Sequence, residues 1–102
     1  MFVLYGTLKP KAEHQIEVEN ILAGLIEPSR SEEGSVVYNV HRQADGSLFL
    51  YEIWQSEDAH KAHSDTPHMQ QFMNDFWPRR LDLLEQEVDA HTATLLETSS
   101  DI

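Results

Sequence analysis

The hydrophobic and polar positions of the chain repeat with two periods, and each period predicts a different kind of element. Phe2–Leu8 is apolar on both faces, which is typical of a central strand covered on both sides. Lys11–Ile26 repeats apolar residues at helical spacing opposite an acidic face, which predicts an amphipathic helix. We expect Pro28 to end this helix, because proline has no backbone N–H to donate. The apolar stripe consists of Val18, Ile21, Leu22, Leu25 and Ile26.

Two further strands, Val36–Arg42 and Leu48–Trp54, are predicted on either side of a turn at Asp45-Gly46. Asp-Gly favours a two-residue hairpin turn, and that turn would place Asn39 opposite Glu52. The hairpin then has one apolar face for the helices and one mixed face. On the apolar face Tyr38 lies opposite Ile53 and Val40 opposite Tyr51, and the mixed face carries Asn39, His41, Glu52 and Trp54.

Two shorter helices follow, and each begins at a residue that caps helix N-termini. Ser56 precedes the first, Glu57–Ser64, and Thr66-Pro67 begins a second that ends near Trp77. The alternation in the threonine-rich stretch Val88–Glu97 predicts a last strand. This order predicts a ferredoxin-like α+β fold, a βαββαβ sandwich with its helices on one face of the sheet. In a chain this short, a second copy is the simplest cover for the other face.

The composition excludes several classes of protein. The 102 residues carry a net charge of −11 at pH 7, and an acidic surface does not favour nucleic acid or anionic membranes. The absence of cysteine rules out disulfides, thiolate nucleophiles and cysteine-ligated metals. No apolar run is long enough for a membrane span and no signal peptide is visible, so we expect a cytoplasmic protein. We expect one domain over residues 1–97 and a short flexible tail at residues 98–102.

Candidate chemistry concentrates in the stretch from Glu52 to His68. Glu52 lies in an apolar strand, where an unpaired carboxylate is costly to bury, and His60, His63 and His68 follow it closely. A buried acid beside histidines is suited to moving protons, and His63 is the most attractive general base. Structural alternatives stay open, with Glu52 as an acceptor in the core and His68 as the cap of a helix end. The spacing of the histidines matches no recognised metal motif, so we expect no functional metal.

A set of short motifs occurs in a fixed order along the chain: Glu33-Gly34 with Tyr38 and Val40, Tyr51-Glu52-x-Trp54, Ala59, His63, Thr66-Pro67-His68 and Phe72. With this combination, over about residues 1–96, the chain resembles the antibiotic biosynthesis monooxygenase (ABM) superfamily. The resemblance implies a ferredoxin-like sheet that pairs face to face with a second subunit, giving a homodimeric α/β barrel with a pocket in each protomer. It also implies oxidation of quinol or polyphenol-type aromatic substrates by O2, with no metal, flavin or other cofactor.

The same resemblance implies roles for individual residues. It makes His63 the base or orienting group, and Glu52 and Asn39 the catalytic residues that fix hydrogen-bond donors beside it. The substrate-binding positions that it implies are His41, Tyr51, Trp54, His68 and Phe72.

Two other functions remain open on this fold. Isomerases of phosphorylated linear sugars carry a similar Tyr-Glu and Thr-Pro-His pattern, although Lys9, Arg30 and Arg42 are the few basic residues near the predicted pocket. A non-catalytic dimeric binder of small molecules is the second, since a fold does not determine its chemistry. Haem degradation is disfavoured, because the first strand has Tyr5-Gly6 where haem-degrading members have an asparagine.

Overall fold

A four-stranded antiparallel sheet with helices packed on one face forms the protein, as a computed structural model describes it for residues 1–96. The strand order β2-β3-β1-β4 confirms the predicted ferredoxin-like α+β fold. The predicted tail, residues 98–102, lies outside the described residues. The elements are β1 (Phe2–Leu8), α1 (Gln15–Arg30), β2 (Ser35–Arg42), β3 (Leu48–Trp54), α2 (Glu57–Ser64), α3 (Pro67–Asp75), α4 (Arg80–Leu83) and β4 (Asp89–Thr94), with 3₁₀ turns at Ala12–His14 and Trp77–Arg79.

Helix α1 packs its apolar stripe on the sheet, with Val18, Leu22 and Leu25 buried in the core. The prediction that Pro28 ends this helix is wrong, because α1 continues to Arg30. Pro28 stands in the last turn, where its missing N–H removes one helical hydrogen bond and leaves the remaining residues free to stay helical.

The β2–β3 hairpin has a different register from the predicted one. The N–H of Gln43 donates to the carbonyl of Ser47 at 2.8 Å, and the N–H of Gly46 donates to the carbonyl of Gln43 at 3.0 Å. The loop therefore has three residues instead of two, and Gly46 takes the positive φ of 87° that such a loop requires. As a result Tyr38 pairs with Glu52, where Asn39 was predicted.

This shift of one residue exchanges the faces on which the side chains lie. Glu52 and Trp54 share the helix-facing side of the sheet with Tyr38, and all three are buried. The prediction that Asn39 and His41 share a face with Glu52 and Trp54 is wrong. The residues that β2 and β3 place on the opposite face include Asn39, His41, Phe49 and Tyr51.

Helices α2 and α3 begin as predicted. The Ser56 hydroxyl accepts from the N–H of Ala59 at 3.1 Å, and the Thr66 hydroxyl accepts from the N–H of Met69 at 3.4 Å. Pro67 occupies the first turn of α3, where its missing N–H costs no helical bond. Helices α2 and α3 thus start at fixed points above β3, and this positions their histidines over the sheet.

The sheet face away from the helices carries a row of aromatic rings. The ring centroids of Phe49 and Tyr51 lie 6.3 Å apart, and those of Tyr5 and His91 lie 5.3 Å apart. Among residues 1–96, no helix combines the length and the apolar character needed to cross a lipid bilayer.

Candidate functional site

Glu52 is the buried acid of the helix-facing side of the sheet, and its side chain has a specific partner. The indole N–H of Trp54, two residues along β3, donates to Oε1 of Glu52 at 2.9 Å. Trp54 is fully buried and its ring centroid lies 4.7 Å from that of His63. The carboxyl of Glu52 is therefore held against the histidine of the next helix by a fixed aromatic ring.

His63 and His68 converge from two consecutive helices. His63 lies in the last turn of α2 with its side chain 2% exposed, while His68 lies in the first turn of α3 and remains partly accessible. The Thr66 hydroxyl donates to the carbonyl of His63 at 2.7 Å and so ties the two helix ends together. The two ring centroids are 5.9 Å apart.

Glu32 completes the cluster, and the sequence analysis did not single it out. It follows α1, and its Oε2 lies 2.7 Å from Nδ1 of His63 and 2.8 Å from Nε2 of His68. One carboxylate oxygen is thus shared by two imidazoles. The signal for this role was weak, because Glu32 is one of 18 acidic residues and lies 31 positions before His63.

The hydrogen bonds determine where the imidazole hydrogens lie. Nε2 of His68 faces two acceptors, the Glu32 carboxylate at 2.8 Å and the Thr66 hydroxyl oxygen at 3.2 Å. The Thr66 hydroxyl donates its own hydrogen to the His63 carbonyl, so towards His68 it can only accept. Nε2 therefore carries the hydrogen, and in the neutral ring Nδ1 holds the free lone pair. His63 has the other tautomer, because its Nδ1 faces Glu32; its Nε2 lies 4.0 Å from Oε1 of Glu52.

Burial dominates the electrostatics of the cluster. It raises the pKa of Glu52 to about 7, with the charge of Glu32 adding to the effect and the Trp54 hydrogen bond opposing it. Burial lowers the pKa of His63, and the hydrogen bond that His63 donates to Glu32 opposes this effect. Burial and then the charge of Glu52 raise the pKa of the Tyr38 hydroxyl. Near neutral pH, Glu52 is therefore present in both its protonated and its ionised form.

A cavity of about 250 Å³ lies between α1 and α3, and His68 forms part of its wall. Ile21 and Leu25 of α1 face Phe72 of α3 and Phe76 beyond it, and the two phenyl rings are stacked with centroids 4.9 Å apart. The cavity is therefore mainly apolar, and His68 connects it to the Glu32 cluster. Of the predicted site residues, His68 and Phe72 line this cavity.

The other predicted site residues divide into two groups. His63, Glu52 and Trp54 are buried and do not line the cavity. The opposite face of the sheet holds Asn39, whose side-chain oxygen accepts from Arg30 at 2.8 Å, together with His41 and Tyr51.

A model of one protein family matches residues 1–75, and the family is described as antibiotic biosynthesis monooxygenase. The Bacillus subtilis protein named "Putative monooxygenase YcnE" is 32% identical over 75 residues, which cover 72% of this chain and 79% of that protein. The "Uncharacterized protein sll1783" of Synechocystis is 28% identical over 100 residues, 96% of this chain. The chain spans only 65% of the length of that cyanobacterial relative.

Solved structures of similar proteins have the same fold. Rv0793 of Mycobacterium tuberculosis superposes with a TM-score of 0.86 at 24% identity, covering 97% of this chain and 98% of that one. PA3566 of Pseudomonas aeruginosa superposes with a TM-score of 0.81 at 26% identity, covering 94% of each chain.

Proposed function

Because the chain belongs to the antibiotic biosynthesis monooxygenase family, we propose that it is a monooxygenase that uses O2 to oxidise quinol or polyphenol-type aromatic substrates, with no added cofactor. The observation that carries the proposal is the position of His68, at the wall of an apolar cavity with its Nε2–H held by Glu32. An oriented imidazole beside an apolar cavity is suited to removing a proton from a bound phenol.

The proposed reaction balances without an external reductant. A quinol with one unsubstituted ring carbon and one O2 give one hydroxyquinone and one water. The substrate supplies four electrons, two from the quinol hydroxyls and two from the ring C–H, and O2 accepts all four. One oxygen atom forms a new bond to the ring carbon, the O–O bond breaks, and the second oxygen leaves as water.

His68 performs the first step of this scheme. Its Nδ1 accepts the proton of a phenolic hydroxyl, and the resulting anion is rich enough in electrons to reduce O2 directly. Glu32 fixes the ring orientation and stabilises the imidazolium that forms, since a carboxylate 2.8 Å from Nε2 strengthens its bond as the ring becomes charged. Glu32 is a positioning residue in this scheme because it acts through His68.

His63 and Glu52 do not contact the substrate in this scheme; they accept protons from the cluster that contains His68. His63 shares the Glu32 oxygen with His68, and its Nε2 faces Glu52. Because the pKa of Glu52 is about 7, this acid can take up or release a proton near neutral pH. We assign these two residues to resetting the charge of the cluster after turnover, with Trp54 holding Glu52 in place.

The cavity sets the class of substrate. Stacked Phe72 and Phe76 provide a flat apolar wall on one side, and Ile21 and Leu25 provide the other. A planar aromatic ring system fits between two such walls, and an apolar site keeps water from the anion. The sugar-phosphate alternative has less support, because the cation that lines the cavity, Arg79, is paired with Glu17 at 3.1 Å and shares the lining with Asp75. The three cations noted in the sequence do not line the cavity. Lys9 pairs with Asp45 and Glu85, Arg30 with Glu27, and Arg42 with Glu19.

We also propose that the protein is a homodimer that pairs through the aromatic face of the sheet. The rings of Tyr5, Phe49 and Tyr51 on that face are only partly buried within one chain. A second copy would cover them, and would bring Asn39, His41 and Tyr51 into an interface between chains instead of the cavity.

Oxygen incorporation tests the proposed reaction. The full chain, freed of metal by a chelator, is incubated with a naphthohydroquinone under heavy-isotope O2, and the product is analysed by mass spectrometry. One labelled oxygen in the product ring and one in water is the expected result. Labelled hydrogen peroxide with an unlabelled quinone would overturn the monooxygenase assignment in favour of a simple oxidase.

A further inference from the structure

Three metal-ligating atoms converge between the ends of three helical elements. Oε2 of Glu32, Nδ1 of His63 and Nε2 of His68 all lie within 4.8 Å of one another. They come from the segment after α1, from α2 and from α3. We call these residues the Glu32 triad.

We propose that the Glu32 triad binds one divalent transition-metal ion, with Zn²⁺ as the representative, and that the bound ion blocks the base function of His68. The binding site stands on the geometry alone. The inhibition by the bound ion rests on the proposed function, since it concerns the role of His68 as the base in the proposed reaction.

The donor set suits a first-row metal better than a magnesium or calcium ion. Two imidazole nitrogens with one carboxylate oxygen are a recurrent ligand set for Zn²⁺, and they leave a position for water. Donor atoms around a tetrahedral zinc lie about 3.3 Å apart. In the triad, the Glu32 oxygen is 2.7 Å and 2.8 Å from the two nitrogens, so it moves outward by a few tenths of an ångström as the ion enters. The two nitrogens lie within 4.8 Å of each other, and the imidazole rings close on the ion to reach the tetrahedral spacing.

Glu52 supplies the second carboxylate that such a site needs. A metal-bound histidine usually donates its other N–H to a carboxylate. Nε2 of His63 lies 4.0 Å from Oε1 of Glu52, so the two groups must approach by about 1 Å to form that hydrogen bond. Glu32, together with the ionised form of Glu52, balances the charge of a divalent ion in a largely buried place. Access is available from one side, since Glu32 and His68 are 13% and 20% exposed.

Metal binding reverses both tautomers of the cluster. A metal takes the lone pair of Nε2 of His68, so the hydrogen of the neutral ring must move to Nδ1. Nδ1 is the atom assigned to accept the substrate proton, and once protonated it has no lone pair. In His63 the hydrogen moves from Nδ1 to Nε2, where it faces Glu52. The bound ion therefore holds the cluster together while it removes the base.

Titration calorimetry with Zn²⁺ on the full, tag-free chain tests the site. We expect one ion per chain, with affinity at least about tenfold weaker in Glu32→Gln and in His68→Gln, and about tenfold weaker in Glu52→Gln. The matched control is His14→Gln, which removes a partly exposed histidine paired with Glu17 at 3.5 Å; within residues 1–96, His14 belongs to no cluster of three metal-ligating groups. Wild-type affinity in both triad variants, with folding verified by thermal melting, would overturn the site, as would the absence of any binding to the wild type.

Inhibition tests the second half of the proposal. Zn²⁺ at saturating concentration should abolish quinol-dependent O2 uptake by the wild type, and chelator should restore it. Full activity with the site occupied would overturn the block of His68 while the calorimetry still supports the site. If the protein shows no O2 uptake under any condition, the proposed function fails, and the calorimetric result for the metal site is unaffected.

Discussion

Nε2 of His68 lies 2.8 Å from Oε2 of Glu32, although the two residues are 36 positions apart in the sequence. This contact joins the start of α3 to the segment that follows α1. It also fixes the tautomer of His68, because a carboxylate can only accept a hydrogen bond. The orientation of the lone pair on Nδ1 of His68 is thus determined by a residue outside the histidine-rich stretch.

Replacing His63 by alanine should reduce the free energy of unfolding. The side chain is 2% exposed and packs against Trp54, and its loss leaves a cavity and removes one of the two donors to Glu32. We expect His63→Ala to cost about 2 to 4 kcal/mol, measured by urea unfolding. The control is Lys61→Ala, an exposed position in the same helix, which should change stability by less than about 0.5 kcal/mol. Equal stability of the two variants would contradict the packing described for His63.

The raised pKa of Glu52 predicts a pH dependence of stability. The native state retains a proton on Glu52 up to about pH 7, because burial raises its pKa, while in the unfolded chain the carboxyl has its ordinary pKa of 4.5. Between these values the native state binds more protons than the unfolded state, so stability falls as pH rises. The contribution amounts to up to about 3 kcal/mol, fully present at low pH and lost above about pH 7.

Glu52→Gln should remove this dependence, because glutamine keeps an acceptor for Trp54 and carries no charge. Urea unfolding of both proteins from about pH 5 to about pH 8, in chelator, measures the effect. The free energy of unfolding should change less with pH in Glu52→Gln than in the wild type. Parallel profiles would mean that Glu52 does not titrate in this range.

Gly24 should control the size of the cavity. A Cβ built on this residue meets no atom within 4 Å, and Gly24 forms part of the cavity wall on α1. Gly24→Ala should stabilise the protein by about 0.5 to 1 kcal/mol, since glycine within a helix is unfavourable relative to alanine. Gly24→Leu should fill the space and weaken binding of a two-ring quinol more than that of a one-ring quinol. Calorimetry measures both affinities. Equal losses of affinity for the two quinols would contradict binding of the substrate in the cavity beside Gly24.

A homodimer predicts a solution mass of about twice the 11.8 kDa of one chain. Light scattering after size exclusion measures it. Tyr51→Asp, placed on the aromatic face of the sheet, should shift the mass to that of one chain, because a buried charge in the interface is costly. The matched variant Lys61→Asp, on an exposed helix position, should leave the mass unchanged. A wild-type protein of 11.8 kDa would contradict the dimer.

Local signals in the sequence were enough to predict the fold class. The helix caps at Ser56 and Thr66, the apolar stripe of α1 and the order of the four strands follow from local patterns, and the structure confirms them. The alternation in Val88–Glu97 does not mark a buried face, because every residue of β4 is exposed. The end of α1 was mispredicted, because a proline in the last turn removes only one hydrogen bond.

The composition of the site could be predicted only in part. Glu52 stands out because it is the one charge in an apolar strand, and His63 and His68 stand out because they follow it closely in a histidine-rich segment. Glu32 could not be distinguished from other surface acids by local pattern, since its role depends on contacts 31 and 36 positions away. Asn39 was placed beside Glu52 because Asp45-Gly46 resembles a two-residue turn, and one extra loop residue moves Asn39 to the other face.

The most direct test of the proposed role of His68 measures O2 uptake and quinone absorbance at the same time. Metal-free protein is mixed with each of a panel of benzo- and naphthohydroquinones, and the uncatalysed rate is subtracted. We expect turnover by the wild type and by His14→Gln, and a loss of about 100-fold or more in His68→Ala with little change in melting temperature. Turnover by His68→Ala at the wild-type rate, or no turnover by the wild type on any quinol, would contradict the proposed role.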